Sequence, residues 1–264
     1  MAGALAAGSL GAQQKPDDAR SWHLGGLRQG FCIELLIEAA RASRHLAEGF
    51  RPLAAGQTPD LHPALRATIA SQTEYRDWAP ARLCLYFADS LDADGVRLVD
   101  RSGRKPLMMA FWTIAAADSA SRPVEISLQL LASSSRVGAA ARGTGLDFDE
   151  AKALAGVPPV DEEGRSSLES RYQLRVGKTQ VTWDGRQTGD SVRVQQSLVD
   201  QWLSEGRGGV WTARFSVTPR WSRGMAGALK VEGKDDFAKA LKASPIRFVG
   251  PIYLGGEAEL RYSR

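Results

Sequence analysis

Between Leu27 and Glu48 apolar residues recur at helical spacing: Leu27, Phe31, Leu35, Ala39, Ala42 and Leu46, with Glu34, Glu38, Arg41, Arg44 and Glu48 between them. That period predicts an amphipathic helix, and Gly49 stands where its C-terminus would be capped. After a Pro- and Gly-rich stretch from Pro52 to Pro63, Leu65, Ile69 and Tyr75 predict a second helix over 64–78, ended by Pro80. Beyond Pro80 the period shortens towards two. Residues 82–88 and 96–99 flank Asp92-Ala-Asp-Gly95 as the arms of a hairpin. The run from Leu107 to Ala116 is apolar throughout, as in a strand buried on both faces, and 124–131 alternates.

Residues 133–170 are rich in Ser, Ala, Gly and acids and predict only a short helix over 147–155. Strand patterns return at 172–176 and 180–183, around Gly177-Lys178-Thr179, and again at 191–194. A short amphipathic helix is expected over 197–205. Val210 to Val217 then alternates, with Trp211, Ala213, Phe215 and Val217 on one side, as a half-buried strand does. A strand at 229–231, a helix over 235–242 and two strands, 246–252 and 257–262, across Gly255-Gly256 close the chain. Together these elements predict an α+β fold, with N-terminal helices packed on antiparallel β-structure in two sheets, sandwich-like or as an open barrel. The divisions are a signal-like or flexible segment (1–20), a helical pair with a first sheet (21–132), a polar insertion or linker (133–170) and a second β-rich region of the same unit (171–264).

Hydrophobic residues make up 43% of the 264 and charged ones 24%, so a core is available without help from metals or disulfides. Charge is uneven. Residues 1–164 hold 17 basic and 20 acidic side chains and the remainder 17 and 10, giving −3 and +7. A basic half attracts acidic protein surfaces or anionic lipid, but no dense Lys/Arg run or interleaved aromatics mark a nucleic-acid partner. The small apolar residues of 1–12, followed by polar Gln13 to Asp18, fit the end of a secretory signal without its basic start. They predict a periplasmic or secreted protein, with a cytoplasmic one as the alternative. No apolar run approaches the roughly 18 residues of a spanning helix, so no transmembrane helix is expected. Cys32 and Cys84 suit one disulfide in an oxidising compartment; the favoured alternative is two buried thiols, since both lie in apolar segments.

Motifs for chemistry are sparse. Gly177-Lys178-Thr179 lacks the earlier glycine of a phosphate loop, because position 172 is Tyr. Asp92 to Gly95 would make a calcium loop closed by Arg101, a cation where a carboxylate is needed. His23, His45 and His62 share no ligand spacing, and no Gly-x-Ser-x-Gly elbow occurs. No catalytic residue, metal or cofactor is therefore predicted, although carboxylates drawn from separate strands leave no local signature. Arg220, Trp221 and Arg223, between Pro219 and Gly224, together with Tyr253 in Pro251 to Leu254, form the candidate partner contact, because Arg and Trp anchor interfaces. The expected function is a non-catalytic extracytoplasmic accessory protein, docking on a protein complex or a membrane surface. The alternatives are a β-structured carrier of a small apolar ligand and a carboxylate-based hydrolase of an envelope polymer.

Overall fold

Strands occupy most of the chain from its first described residue. The computed structural model describes residues 20–59, 61–100, 106–144, 148–155, 169–206, 209–245 and 247–263. The signal-like segment, Arg20 apart, and residues 156–168 of the polar insertion lie outside them. Where the first helix is expected the chain forms β1 (Arg20–Ile37), and α1 (Ala39–Ala42) is a single turn. From Gly30 onwards β1 is buried on both faces. Two-sided burial removes the polar alternation that marks a strand and leaves apolar residues at 27, 31 and 35, which also fit a helix. β2 (Arg51–Pro52) follows, and of the second expected helix only α2 (Pro63–Ser71) is α-helical. The helical N-terminal layer of the expected α+β fold is thus not present.

β3 (Ala79–Ala93) and β4 (Val96–Asp100) make the hairpin whose turn holds Asp94 and Gly95 at positive φ. β5 (Leu107–Ala117) lies between β3 and β6 (Pro123–Ala132) and is buried on both faces. Then come α3 (Ser135–Thr144), β7 (Asp149–Glu150) and β8 (Lys152–Ala155), strands where 147–155 suggested a helix. β9 (Glu169–Val176) and β10 (Thr179–Arg193) turn at Gly177. β11 (Leu198–Gly206) replaces the helix expected over 197–205, because its residues pair along their whole length with β12 (Gly209–Glu232). α4 (Asp236–Ala243), β13 (Arg247–Val249) and β14 (Ile252–Ser263) complete the chain. Gly255 and Gly256 do not form the turn between the last two strands; they sit within β14 at positive φ.

The strands form one mixed sheet rather than two. In it β11, β6, β5, β3, β1, β14 and β12 are successive neighbours, and β12 pairs again with β11, which closes a ring of seven. The last join, between β6 and β11, is parallel and has only two paired positions, Leu203 with Ile126 and Ser204 with Ser127. β12 is 24 residues long, and past the ring its second half pairs with β10, beyond which lie β9 and β8. This arm and α4 cover one face of β1, β3 and β5, where Phe31, Leu83, Leu85 and Trp112 meet Tyr172, Trp183 and Phe237. The opposite face lines the ring, filled by Tyr86, Phe111, Trp202, Phe215 and Leu260. Cys32 and Cys84 are directly opposed on that inner face and joined as a disulfide, so the favoured pair of free thiols is not what the structure contains.

Candidate active site

Inside the ring the apolar filling stops short of one end, where a polar row crosses the strands. Alternation along β1 puts Gly30, Cys32 and Glu34 on one face, and the antiparallel register sets Glu34 against Arg82 and Cys32 against Cys84. Arg82 is in turn opposite Thr113 of β5, and Thr113 is opposite Ser127 of β6 across an irregularity in the β5–β6 ladder. Glu125 lies two residues before Ser127. Asp200 enters from β11 beyond the parallel join, next to the inward Trp202.

Arg82 holds the group together. Its Nε donates to Glu125 Oε1 at 3.2 Å, one Nη donates to Glu125 Oε2, and the other donates to Asp200 Oδ1 at 2.9 Å. The Thr113 hydroxyl also donates to Glu125. Burial opposes the guanidinium charge, but Glu125, Asp200 and Glu34 outweigh it and hold the group protonated above its ordinary range. Glu34 is in the reverse situation. The residue is 9% exposed, and its carboxyl accepts no hydrogen bond from the described residues. Burial pushes its pKa up to about 7; Arg82 pulls it down, and Glu125 and Asp200 add to the rise.

The row opens into a cavity of about 670 Å³. Its other walls are Leu53, Thr58, Pro59, Leu61 and His62 from the chain before α2, Val124 from β6, and Trp202 and Leu203 from β11. α2 is anchored by Leu65, packed with Leu36, Ala55 and Leu61, and its N-cap is His62, whose Nδ1 accepts from Ala64 N at 3.2 Å. Burial lowers the His62 pKa, and the charge of Arg82 adds to that fall. Below the row, Tyr86 Oη is 3.8 Å from Cys32 Sγ, and burial raises the pKa of Tyr86 and Tyr253, with Asp200 adding to both.

No family model matches this chain, and no curated protein matches it. Solved structures do. The acetoacetate decarboxylase of Legionella pneumophila superposes with a TM-score of 0.54 at 9% identity, over 96% of this chain and 90% of that one. The chain has the acetoacetate decarboxylase-like fold. An acetoacetate decarboxylase-like enzyme from Sphingomonas wittichii RW1 gives 0.50 at 10% identity, covering 94% and 91%. The enduracididine biosynthesis enzyme MppR, with HEPES buffer bound, gives 0.50 at 12% identity, covering 97% and 89%. At these identities the likeness is one of fold.

The acetoacetate decarboxylase-like fold corrects the expectation of a non-catalytic accessory protein, since the chains sharing it are enzymes by name and this one carries a built polar cavity. The expected contact residues lie on two paired strands, with Tyr253 of β14 opposite Ser222, between Trp221 and Arg223 of β12. Arg220, Trp221 and Arg223 lie within the long β12, with Trp221 45% exposed and Arg223 Nε donating to Gly189 O at 3.1 Å. Tyr253 is half-buried, and Asp200 adds to the rise in its pKa that burial causes. Among the described residues no helix is long and apolar enough to cross a membrane, and no group of His, Cys, Asp or Glu could hold a metal ion. Glu34, Arg82, Glu125 and Asp200 escape sequence reading because each comes from a different strand. The one local signal was a charge inside an apolar run, as at Phe31-Cys-Ile-Glu34-Leu-Leu-Ile37.

Proposed function

We propose that this protein is an enzyme that binds a small polar carbonyl compound in the ring cavity and moves a proton next to the carbonyl, with Glu34 as general base and then acid. The observation that carries the proposal is Glu34 itself: a buried carboxyl facing a cavity, without a hydrogen-bond donor among the described residues, and with a pKa of about 7. General acid–base groups work best when their pKa lies near the working pH. As a carboxylate, Glu34 takes a proton from the carbon beside the carbonyl; the electron pair moves to the carbonyl oxygen as an enolate, and the proton returns from the Glu34 carboxyl. Of the five guanidinium N–H groups, three go to Glu125 and Asp200, and those that remain on Arg82 can meet the enolate oxygen.

Decarboxylation by way of an imine needs an amine nucleophile, and no lysine lines the cavity among the described residues. Proton transfer at carbon therefore has more support here than amine catalysis. The test is hydrogen–deuterium exchange of a panel of small ketones and aldehydes in D2O, followed by proton NMR. The wild type is expected to exchange α-protons faster as pH rises through 7, and Glu34→Gln to be slower by about a hundredfold or more. Exchange no faster than in buffer for every compound at pH 8 would set the proposal aside.

A further inference from the structure

Four ionisable side chains meet at the cavity's polar end, and their signs do not balance. Among the described residues that line the cavity, Arg82 is the one Lys or Arg, against the carboxyl groups of Glu34, Glu125 and Asp200, and the His62 pKa is lowered. Counted formally, the site is −1 with Glu34 protonated and −2 with it ionised. Arg82 has only two N–H groups left for an anionic ligand, the other three being taken up by carboxylates. The Nε edge of the guanidinium, which would give a bidentate pair, is taken by Glu125, and the other Nη is turned to Asp200. Glu34 is nine-tenths buried, lines the same cavity and has no donor among the described residues. A buried carboxylate without a donor is a costly arrangement unless a ligand supplies one.

We propose that the cavity selects substrates carrying a positive charge, an ammonium or guanidinium group beside the reacting carbonyl, over substrates carrying a carboxylate. This rests on reading the cavity as the substrate site, and it sets the chain apart from any enzyme of the same fold whose substrate is an acid. The cation lies against Glu34 and Asp200, donates the hydrogen bonds that Glu34 lacks, and leaves the Arg82–Glu125 pair intact. Linkage follows: a cation that lowers the Glu34 pKa binds the ionised form more tightly by the same factor, about tenfold for each unit.

Three probes of one shape separate the alternatives: butylguanidinium, its neutral isostere butylurea, and pentanoate, each titrated calorimetrically into the full chain at pH 8. Butylguanidinium is expected to bind about tenfold or more tightly than either other probe, and more tightly at pH 8 than at pH 5.5. Asp200→Asn, checked for folding by circular dichroism, should weaken the guanidinium about tenfold and narrow its lead over butylurea. Equal or tighter binding of butylurea or pentanoate to the wild type, or binding of none of the three, overturns the proposal. Neither readout depends on turnover. Selective cation binding without α-proton exchange would remove the catalytic reading alone, whereas exchange confined to carboxylate-bearing ketones would remove the charge selectivity alone.

Discussion

Glu34 couples the site to the stability of the fold. In the unfolded chain its carboxyl ionises near its ordinary pKa of 4.5, whereas in the folded protein it holds its proton up to about 7. Between those values the folded state binds more protons than the unfolded one, so this residue's contribution to stability falls as pH rises from 4.5 to 7 and stays low above it. The difference is on the order of 3 kcal/mol. Glu34→Gln is uncharged throughout and escapes it. Thermal denaturation should therefore find the variant close to the wild type at pH 4 and more stable at pH 8, by up to about 3 kcal/mol. Parallel stability curves across that range would mean that Glu34 ionises freely in the folded protein. A residue that lowers stability at neutral pH while facing a cavity is placed as a functional group is, and Arg82 with its two carboxylate partners keeps it there.

Single elements divide into those whose pattern is local and those whose pattern is imposed by neighbours. The alternation from Val210 to Val217 needs no context, and Trp211, Ala213, Phe215 and Val217 are indeed the buried set. α4 carries its own start signal in Asp235, whose carboxylate accepts from Ala238 N at 2.9 Å and from the Thr179 hydroxyl. In the arm made by β10 and β12, Gly185 faces Gly227 and the Trp183 indole lies over both. A Cβ at Gly227 would come within 2.3 Å of the Asp184 carbonyl oxygen and 2.6 Å of the Trp183 ring. Gly227→Ala should therefore cost about 2 kcal/mol in urea unfolding and quench-shift the Trp183 fluorescence, whereas Gly177→Ala, with open space around it, should leave that signal alone. An unchanged midpoint for Gly227→Ala would show that the arm can give way. β11 is the opposite case: Leu198, Trp202 and Leu203 suit a helix in isolation, and the ladder to β12 makes them a strand.

At the scale of the molecule, the ring is cross-linked beside its site. The Cys32–Cys84 disulfide joins β1 to β3 at the position next inward from Glu34 and Arg82, and spans 52 residues of sequence. A closed loop of that length restricts the unfolded chain, so reduction should lower stability by about 2–4 kcal/mol. Urea unfolding with and without reductant measures it, with the Cys32→Ala, Cys84→Ala double variant as the reductant-insensitive control; a midpoint indifferent to reductant would remove the disulfide from the stability of this fold. The sequence by itself determined the strand character of 82–88, 96–99, 107–116, 124–131 and 210–217, the β3–β4 and β9–β10 turns at their glycines, the double burial of β5 and the helix at α4, because these follow from periods and φ preferences over a few residues. Closure of the ring, the strand identity of 20–37 and 198–206, and the meeting of Glu34, Arg82, Glu125 and Asp200 were decided only by tertiary structure. Those four residues lie on strands far apart in sequence, and their convergence depends on the register of several ladders at once, a property of no segment taken alone.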